Sequence, residues 1–219
     1  ASLRMVLEGR GCRFRSDHSD TEVLVQGYQA WGMRGLLERL DGMYVFAVYD
    51  EIAKRILIAR DRVGVKPIYF TKRAGLFAFA SEIKALLAHP SVPASVGEVA
   101  LYHYLTYLTT PAPLTLFDGI YKLPAGHFMM IEANGNFAAE QYWAAVPGQS
   151  LDTHTVAGKS AADQDQYYQK AIIQRLEASV EKRMMSDAPY GAFLSGGIDS
   201  SVNVALMDRF TDDPVNTFT

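Results

Sequence analysis

Hydrophobic positions change period several times along the chain. Val23, Leu24, Tyr28 and Trp31 share one helical stripe. It opens on Ser19-Asp20-Thr21-Glu22, a capping box in which the Ser19 hydroxyl takes an orphan N–H and Glu22 reaches back. Gly32 stops that helix, a second is predicted from Met33 to Leu40, and the tail of an earlier one runs from Leu3 to Gly9. From Asp41 the pattern turns β-like. Near-continuous apolar runs begin at Tyr44, Arg55, Pro67 and Leu76, and they read as four strands buried on both faces by helices or by a second sheet. Ser81 is expected to cap a short helix ending at His89-Pro90, and Ser95-Val96-Gly97-Glu98 to box the start of another reaching Leu108. After a Pro-broken loop, two strands flank Asn134-Gly135, a strong hairpin dipeptide.

The stretch from Val146 to Asp163 is polar, rich in small residues and aperiodic, and is predicted to be a linker between domains 1–145 and 164–219. An amphipathic helix follows, with Tyr168, Ile172, Leu176, Val180 and Met184 recurring every four residues. A strand from Pro189 to Leu194, a small-residue loop over 195–199, a helix from Ser200 to Phe210 and a strand from Pro214 then form the opening of a parallel α/β sheet.

Composition narrows the classes. Of the 219 residues, 49% are hydrophobic and 21% charged, enough apolar material to offset ordering entropy, so a disordered chain is excluded. Net charge is −3 with no dense Lys/Arg run, which argues against nucleic acid as partner. No segment approaches the roughly 18 uninterrupted apolar residues of a membrane span. One cysteine excludes an internal disulfide, and a reducing, cytoplasmic setting fits. His18, His89, His103, His127 and His154 lack metal-ligand spacing, so no zinc is expected.

The sharpest chemical signal is Phe193-Leu194-Ser195-Gly196-Gly197-Ile198-Asp199-Ser200-Ser201. A strand enters two glycines and hydroxyl residues, then a helix. Glycines let the backbone approach an anion, and the loop and helix-start N–H groups converge in a phosphate-binding arrangement. No Lys follows the second glycine, so this is not a Walker A loop. Asp199 beside a polyphosphate would repel it without an intervening cation, so Mg²⁺ is predicted between them.

This loop resembles the pyrophosphate loop of the N-type ATP pyrophosphatases, which cleave ATP between its α and β phosphates to adenylylate a carboxylate. Arg60-Asp61-Arg62-Val63-Gly64-Val65-Lys66-Pro67-Ile68-Tyr69-Phe70 and the segments Leu40–Ala47, Ala80–Leu86, Ile120–His127 and Tyr142-Trp143 resemble the class II (N-terminal-nucleophile) glutamine amidotransferase domain of the asparagine synthetase family. The resemblance spans nearly the whole chain. It implies an α+β glutaminase domain of mostly antiparallel sheets, followed by the start of an α/β ATP-binding domain. It implies ATP, Mg²⁺, glutamine and aspartate as ligands. An aspartyl adenylate would form, and ammonia from glutamine would displace AMP to give asparagine. By the same resemblance Asp20 would hold the glutamine α-ammonium. Leu194 would pack near the nucleoside, Ser195, Gly196, Gly197, Asp199 and Ser200 would hold pyrophosphate, and Asp199 the metal.

The family's nucleophile is a cysteine at the first position, where this chain has Ala1. Cys12 is read as structural. The chain is therefore expected to be an internal fragment that does not itself hydrolyse glutamine. Homodimerisation of the full-length protein stays open. Two rivals also stay open: the same architecture with another acceptor, such as a β-lactam synthetase or an amidotransferase of sugar acids or peptides, and a non-catalytic remnant. Arg60, Asp61 and Lys66 are expected to form an ion-pair loop, Tyr102, Tyr104 and Tyr107 with neighbouring leucines a packing helix, and Glu82 with Lys84 a cap or pair.

Overall fold

A computed structural model describes residues 2–73, 75–146, 158–186 and 188–219. The chain divides into two compact units, Ala1–Ala145 and Val146–Thr219. In the first, helices α1 (Ser2–Glu8) and α2 (Asp20–Arg39) precede strands β1 (Val45–Asp50), β2 (Arg55–Arg60), β3 (Tyr69–Arg73) and β4 (Leu76–Ala80). Helices α3 (Ile83–Leu87) and α4 (Glu98–Tyr107) follow, then β5 (Ile120–Lys122), β6 (His127–Glu132) and β7 (Phe137–Gln141). The strands form two antiparallel sheets, β1-β2-β6-β7 and β4-β3-β5.

Alternation along β2 and β6 explains the layering. Leu57 and Ala59 of β2 and Phe128 of β6 meet Met33 and Leu37 of α2. On the opposite face, Ile58, Met129 and Ile131 meet Ile68, Phe70 and Leu123 of the second sheet segment. The outer face of that sheet is closed by Leu86 and Val92 around Ile120 and β4 residues. The order is helix, sheet, sheet, helix, and both predicted kinds of cover are present. A fully buried leucine such as Leu36 or Leu37 contributes about 2 kcal/mol.

Helix α2 runs through Gly32, where φ is 68° and ψ 178°. That left-handed break, open to glycine without a Cβ clash, splits it near the two helices predicted. The Asn134-Gly135 hairpin closes β6 onto β7 with His127 opposite Gln141.

Several expectations are corrected. The Ser95–Glu98 box does not form: Gly97 precedes α4 without a side-chain cap. The reason is that residues 95–97 are engaged elsewhere, with Gly97 N–H donating to Leu116 O at 2.9 Å and Asp118 N–H to Ser95 O at 2.8 Å. Glu82, not Ser81, precedes α3, and it pairs with Lys84 at 2.6 Å. Strand β5 lies in the segment read as loop. Helix α4 is not a packing helix among the described residues: Tyr102 is 71% exposed, Leu105 71% and Leu108 80%.

Arg60 and Asp61 form no ion pair with Lys66. The Arg60 guanidinium donates to the carbonyls of Lys66, Leu123 and Gly64 at 2.9, 2.6 and 2.6 Å. Fully buried Asp61 accepts from Val65 N–H and Lys66 N–H, each at 2.9 Å. A charged pair of side chains thus staples backbone. The Tyr142 hydroxyl donates to Arg60 O at 2.7 Å and lies 2.9 Å from the Tyr44 hydroxyl. Burial pushes both phenols above their ordinary range.

The second unit holds α5 (Ala161–Arg183), β8 (Gly191–Phe193), α6 (Ile198–Met207), a 3₁₀ turn (Asp208–Phe210) and β9 (Asn216–Phe218). Strands β8 and β9 pair in parallel, Ala192 opposite Thr217. The predicted linker falls largely on residues 147–157, outside the described residues, as does His154. Helix α5 begins at Ala161, three residues before the predicted start, because Ser160 Oγ accepts from Asp163 N–H at 3.2 Å. It packs against α6, and Arg209 pairs with Glu177. No described helix is long and apolar enough to cross a membrane.

Candidate functional site

In the second unit the ladder of β8 extends one residue beyond the strand, since Leu194 N–H donates to Phe218 O at 2.8 Å. The chain then turns through Ser195-Gly196-Gly197 into α6. Gly196 sits at φ 79°, and a Cβ added there would meet nothing within 4 Å. The bend is open rather than plugged by neighbouring side chains. Helix α6 starts at Ile198 and its N-cap, Gly197, provides no side-chain cap. Ser201 N–H is the first amide to reach a carbonyl four residues back, Gly197 O at 3.1 Å. The amides of Ile198, Asp199 and Ser200 therefore begin the helix without such a partner.

Asp199 is helical, in the first turn of α6, where the loop over 195–199 was expected to hold it. Ser200 and Ser201 Oγ fold back on Gly197 O at 3.0 and 2.8 Å, and Ser195 Oγ lies 3.2 Å from Ser200 Oγ. These bonds fix the hydroxyls at the loop mouth. Among the described residues the Asp199 carboxylate has no hydrogen bond or ion pair.

Beside the loop is a hollow of about 640 Å³. Ser195, Asp199 and Ser200 line it, while Leu194, Gly196 and Gly197 do not. Among the lining residues that sequence reasoning missed are Ser179 and Arg183 of α5 and Asn203 of α6. Asn203 follows Asp199 by four and Ser200 by three, so helical spacing alone carried its signal. Arg183 had none, because packing of α5 on α6 brings it there.

No group of three or more His, Cys, Asp or Glu among the described residues could hold a metal ion. A magnesium ion here would take Asp199 and then phosphate oxygens, the arrangement Mg²⁺ favours.

In the first unit, Asp20 opens α2 and is exposed, with no side-chain bond among the described residues. The turn before it is held from two helices. Arg4 of α1 donates to Ser16 O and Ser19 O at 2.5 and 3.3 Å. Ser19 Oγ accepts from Glu22 N–H at 3.3 Å, as predicted, yet Glu22 does not reach back to Ser19. Its carboxylate accepts instead from Ser16 Oγ, Ser16 N–H and Arg15 N–H at 2.6, 2.9 and 2.5 Å. Those bonds, the Ser16 hydroxyl first, lower the Glu22 pKa to about 2. Cys12 is a half-buried free thiol whose N–H donates to Leu7 O at 3.0 Å.

Two stretches of the chain match known protein families. Residues 1–143 match the profile of the glutamine amidotransferase domain, and residues 171–219 match that of asparagine synthase. A relative from Bacillus subtilis (strain 168), "Asparagine synthetase [glutamine-hydrolyzing] 3", is 35% identical over 93% of this chain. A Mycobacterium bovis protein, "Putative asparagine synthetase [glutamine-hydrolyzing]", is 37% identical over 91%. The chain spans 31% and 30% of the lengths of these two relatives. A solved glutamine phosphoribosylpyrophosphate amidotransferase from B. subtilis, complexed with ADP and GMP, overlays at a TM-score of 0.44 with 16% identity, covering 95% of this chain and 41% of its own. With 143 of its 219 residues matched by one profile, the chain belongs to the glutamine amidotransferase domain family, and its last 49 residues carry the asparagine synthase match.

Proposed function

We propose that the chain belongs to a glutamine-dependent, ATP-consuming carbon–nitrogen ligase that makes asparagine from aspartate. The observation that carries the reading is the open Ser195–Gly197 bend, with uncapped α6 amides behind it and an Asp199 carboxylate at its mouth that is unpaired among the described residues. The asparagine synthase match over the same residues and the names of the relatives support it.

In this reading the α6 amides and the Ser195 and Ser200 hydroxyls bind the β and γ phosphates. Their partial positive charges favour pyrophosphate as it departs. Asp199 holds Mg²⁺, which offsets phosphate charge when bound. Leu194 packs near the nucleoside. A carboxylate resists attack by an amine until one oxygen becomes a good leaving group, and adenylylation makes it one. In the first unit Asp20 holds the α-ammonium of glutamine, presented by a turn that Arg4 and Glu22 keep in place. Ammonia released there would stay unprotonated and nucleophilic only if shielded from water.

The test is product stoichiometry with the intact protein. Aspartate, MgATP and glutamine should yield asparagine, AMP, pyrophosphate and glutamate in equal amounts. ADP and orthophosphate as products would refute the nucleotide chemistry. AMP and pyrophosphate formed only with a different acceptor would refute aspartate.

A further inference from the structure

One cationic side chain, Arg183, lines the hollow beside the Ser195–Ser200 turn. It ends α5, and its Nη1 donates to Ser179 O at 2.9 Å and Ser179 Oγ at 2.5 Å. These bonds hold the guanidinium by one nitrogen and leave Nε and Nη2 with no bond among the described residues. Asp199 lines the same hollow, yet the two do not pair. Two opposite charges that share a hollow without meeting leave space for a group that satisfies both.

Charge sets what that group must be. A nucleoside triphosphate carries about four negative charges near neutral pH, and one divalent cation removes two. Asp199 adds one back. Helix α6 supplies the equivalent of about half a positive charge at its N-terminus. A further cation is required to balance the site, and Arg183 is the one lining it. Its planar fork matches phosphate oxygens bidentately, as a lysine ammonium would not.

Resting on the nucleotide-site reading above, we infer that Arg183 is a polyphosphate-binding residue. Its free guanidinium nitrogens grip phosphate oxygens from the α5 side, opposite the α6 amides. Asn203, on the α6 wall, offers an amide to the same ligand. Arg183 is exposed and Ser179 is its sole hydrogen-bond partner among the described residues, so its replacement leaves the unit folded.

The experiment measures calorimetric affinity for MgATP, for pyrophosphate with Mg²⁺ and for adenosine, using the intact protein. Wild type is compared with Arg183→Ala, Arg183→Lys and Ser179→Ala. Losing a charged bidentate contact weakens MgATP and pyrophosphate binding by roughly ten- to a hundredfold. Adenosine affinity should not move, and glutamine hydrolysis should persist. Arg183→Lys should recover only part of the loss. Ser179→Ala, which removes the hydroxyl anchor of the guanidinium and keeps its bond to the backbone carbonyl, should give a smaller loss than Arg183→Ala. Equal weakening of adenosine and MgATP would show a structural role and overturn the inference. So would Arg183→Ala binding pyrophosphate like wild type. If wild type itself binds neither MgATP nor pyrophosphate, the nucleotide-site reading fails, and the role of Arg183 fails with it.

Discussion

Replacing Asp61 by Asn tests the staple at the heart of the first unit. The carboxylate is fully buried and divides its oxygens between two amides, Val65 N–H and Lys66 N–H, each at 2.9 Å. Asn has nearly the same shape but one acceptor. Whichever way it sits, its NH₂ faces a backbone N–H. One bond weakens from charge-assisted to neutral, at about 1 kcal/mol, and one amide is left buried and unmet, at about 1–3 kcal/mol. Relief from burying a charge offsets a fraction, so the net loss should be about 2–3 kcal/mol. At a typical slope of about 1–3 kcal/mol per molar urea, the midpoint falls by roughly 0.7–3 M. The assay is tryptophan fluorescence during urea unfolding. Both tryptophans, Trp31 and Trp143, lie in the first unit, so the signal reports that unit alone. Lys66→Ala is the control, because Asp61 holds the Lys66 backbone and not its ammonium. It should change stability by less than about 0.5 kcal/mol. The reasoning is refuted if Asp61→Asn falls within about 1 kcal/mol of wild type, or if Lys66→Ala is as damaging.

Further outcomes can be checked independently. Asp199→Ala in the intact protein should lower pyrophosphate release by roughly a hundredfold or more while glutamine hydrolysis continues, and unchanged release would discredit the metal role. Gly196→Ala places a side chain at φ 79°, a left-handed conformation costing about 1–2 kcal/mol, and projects a methyl into space where no protein atom lies. MgATP affinity should fall with the first unit's urea midpoint unmoved, whereas undiminished affinity would mean the ligand does not approach that bend. Glu22 has its pKa lowered from 4.5 to about 2, so its contribution to stability is fully present above about pH 4.5 and fades as pH falls toward 2. Glu22→Gln should thus be less stable than wild type at neutral pH, with the difference shrinking on acidification, and a gap that widens instead would contradict the bonding seen at Arg15 and Ser16.

Features governed by a few consecutive residues were legible without the fold. The apolar runs of β2 and β4 became strands, Asn134-Gly135 turned the hairpin, and Gly32 broke the helix where its stripe ended. Serine capping shows the limit. Ser19 caps α2, but the reciprocal partner Glu22 was captured by a segment six residues upstream. Ser95 had the same local signature and does not cap at all, because a distant segment at Leu116–Asp118 claimed its backbone first. Helix α4 reads as a packing helix by composition, yet its tyrosines and leucines are exposed among the described residues.

By itself, the order of residues determined the glycine loop between a strand and a helix, the Asn134-Gly135 hairpin and the parallel start of the second unit. Each follows from short-range sterics, periodicity and turn chemistry, which act within about ten residues. Only the tertiary structure decided that two sheets stack between helices, that Arg60 and Asp61 hold backbone groups instead of the Lys66 ammonium, and that Arg183 shares a hollow with Asp199. Those outcomes depend on which distant groups are buried together. A buried polar atom bonds to whatever neighbour packing delivers, because leaving it without a partner costs more than any preference encoded nearby in the chain.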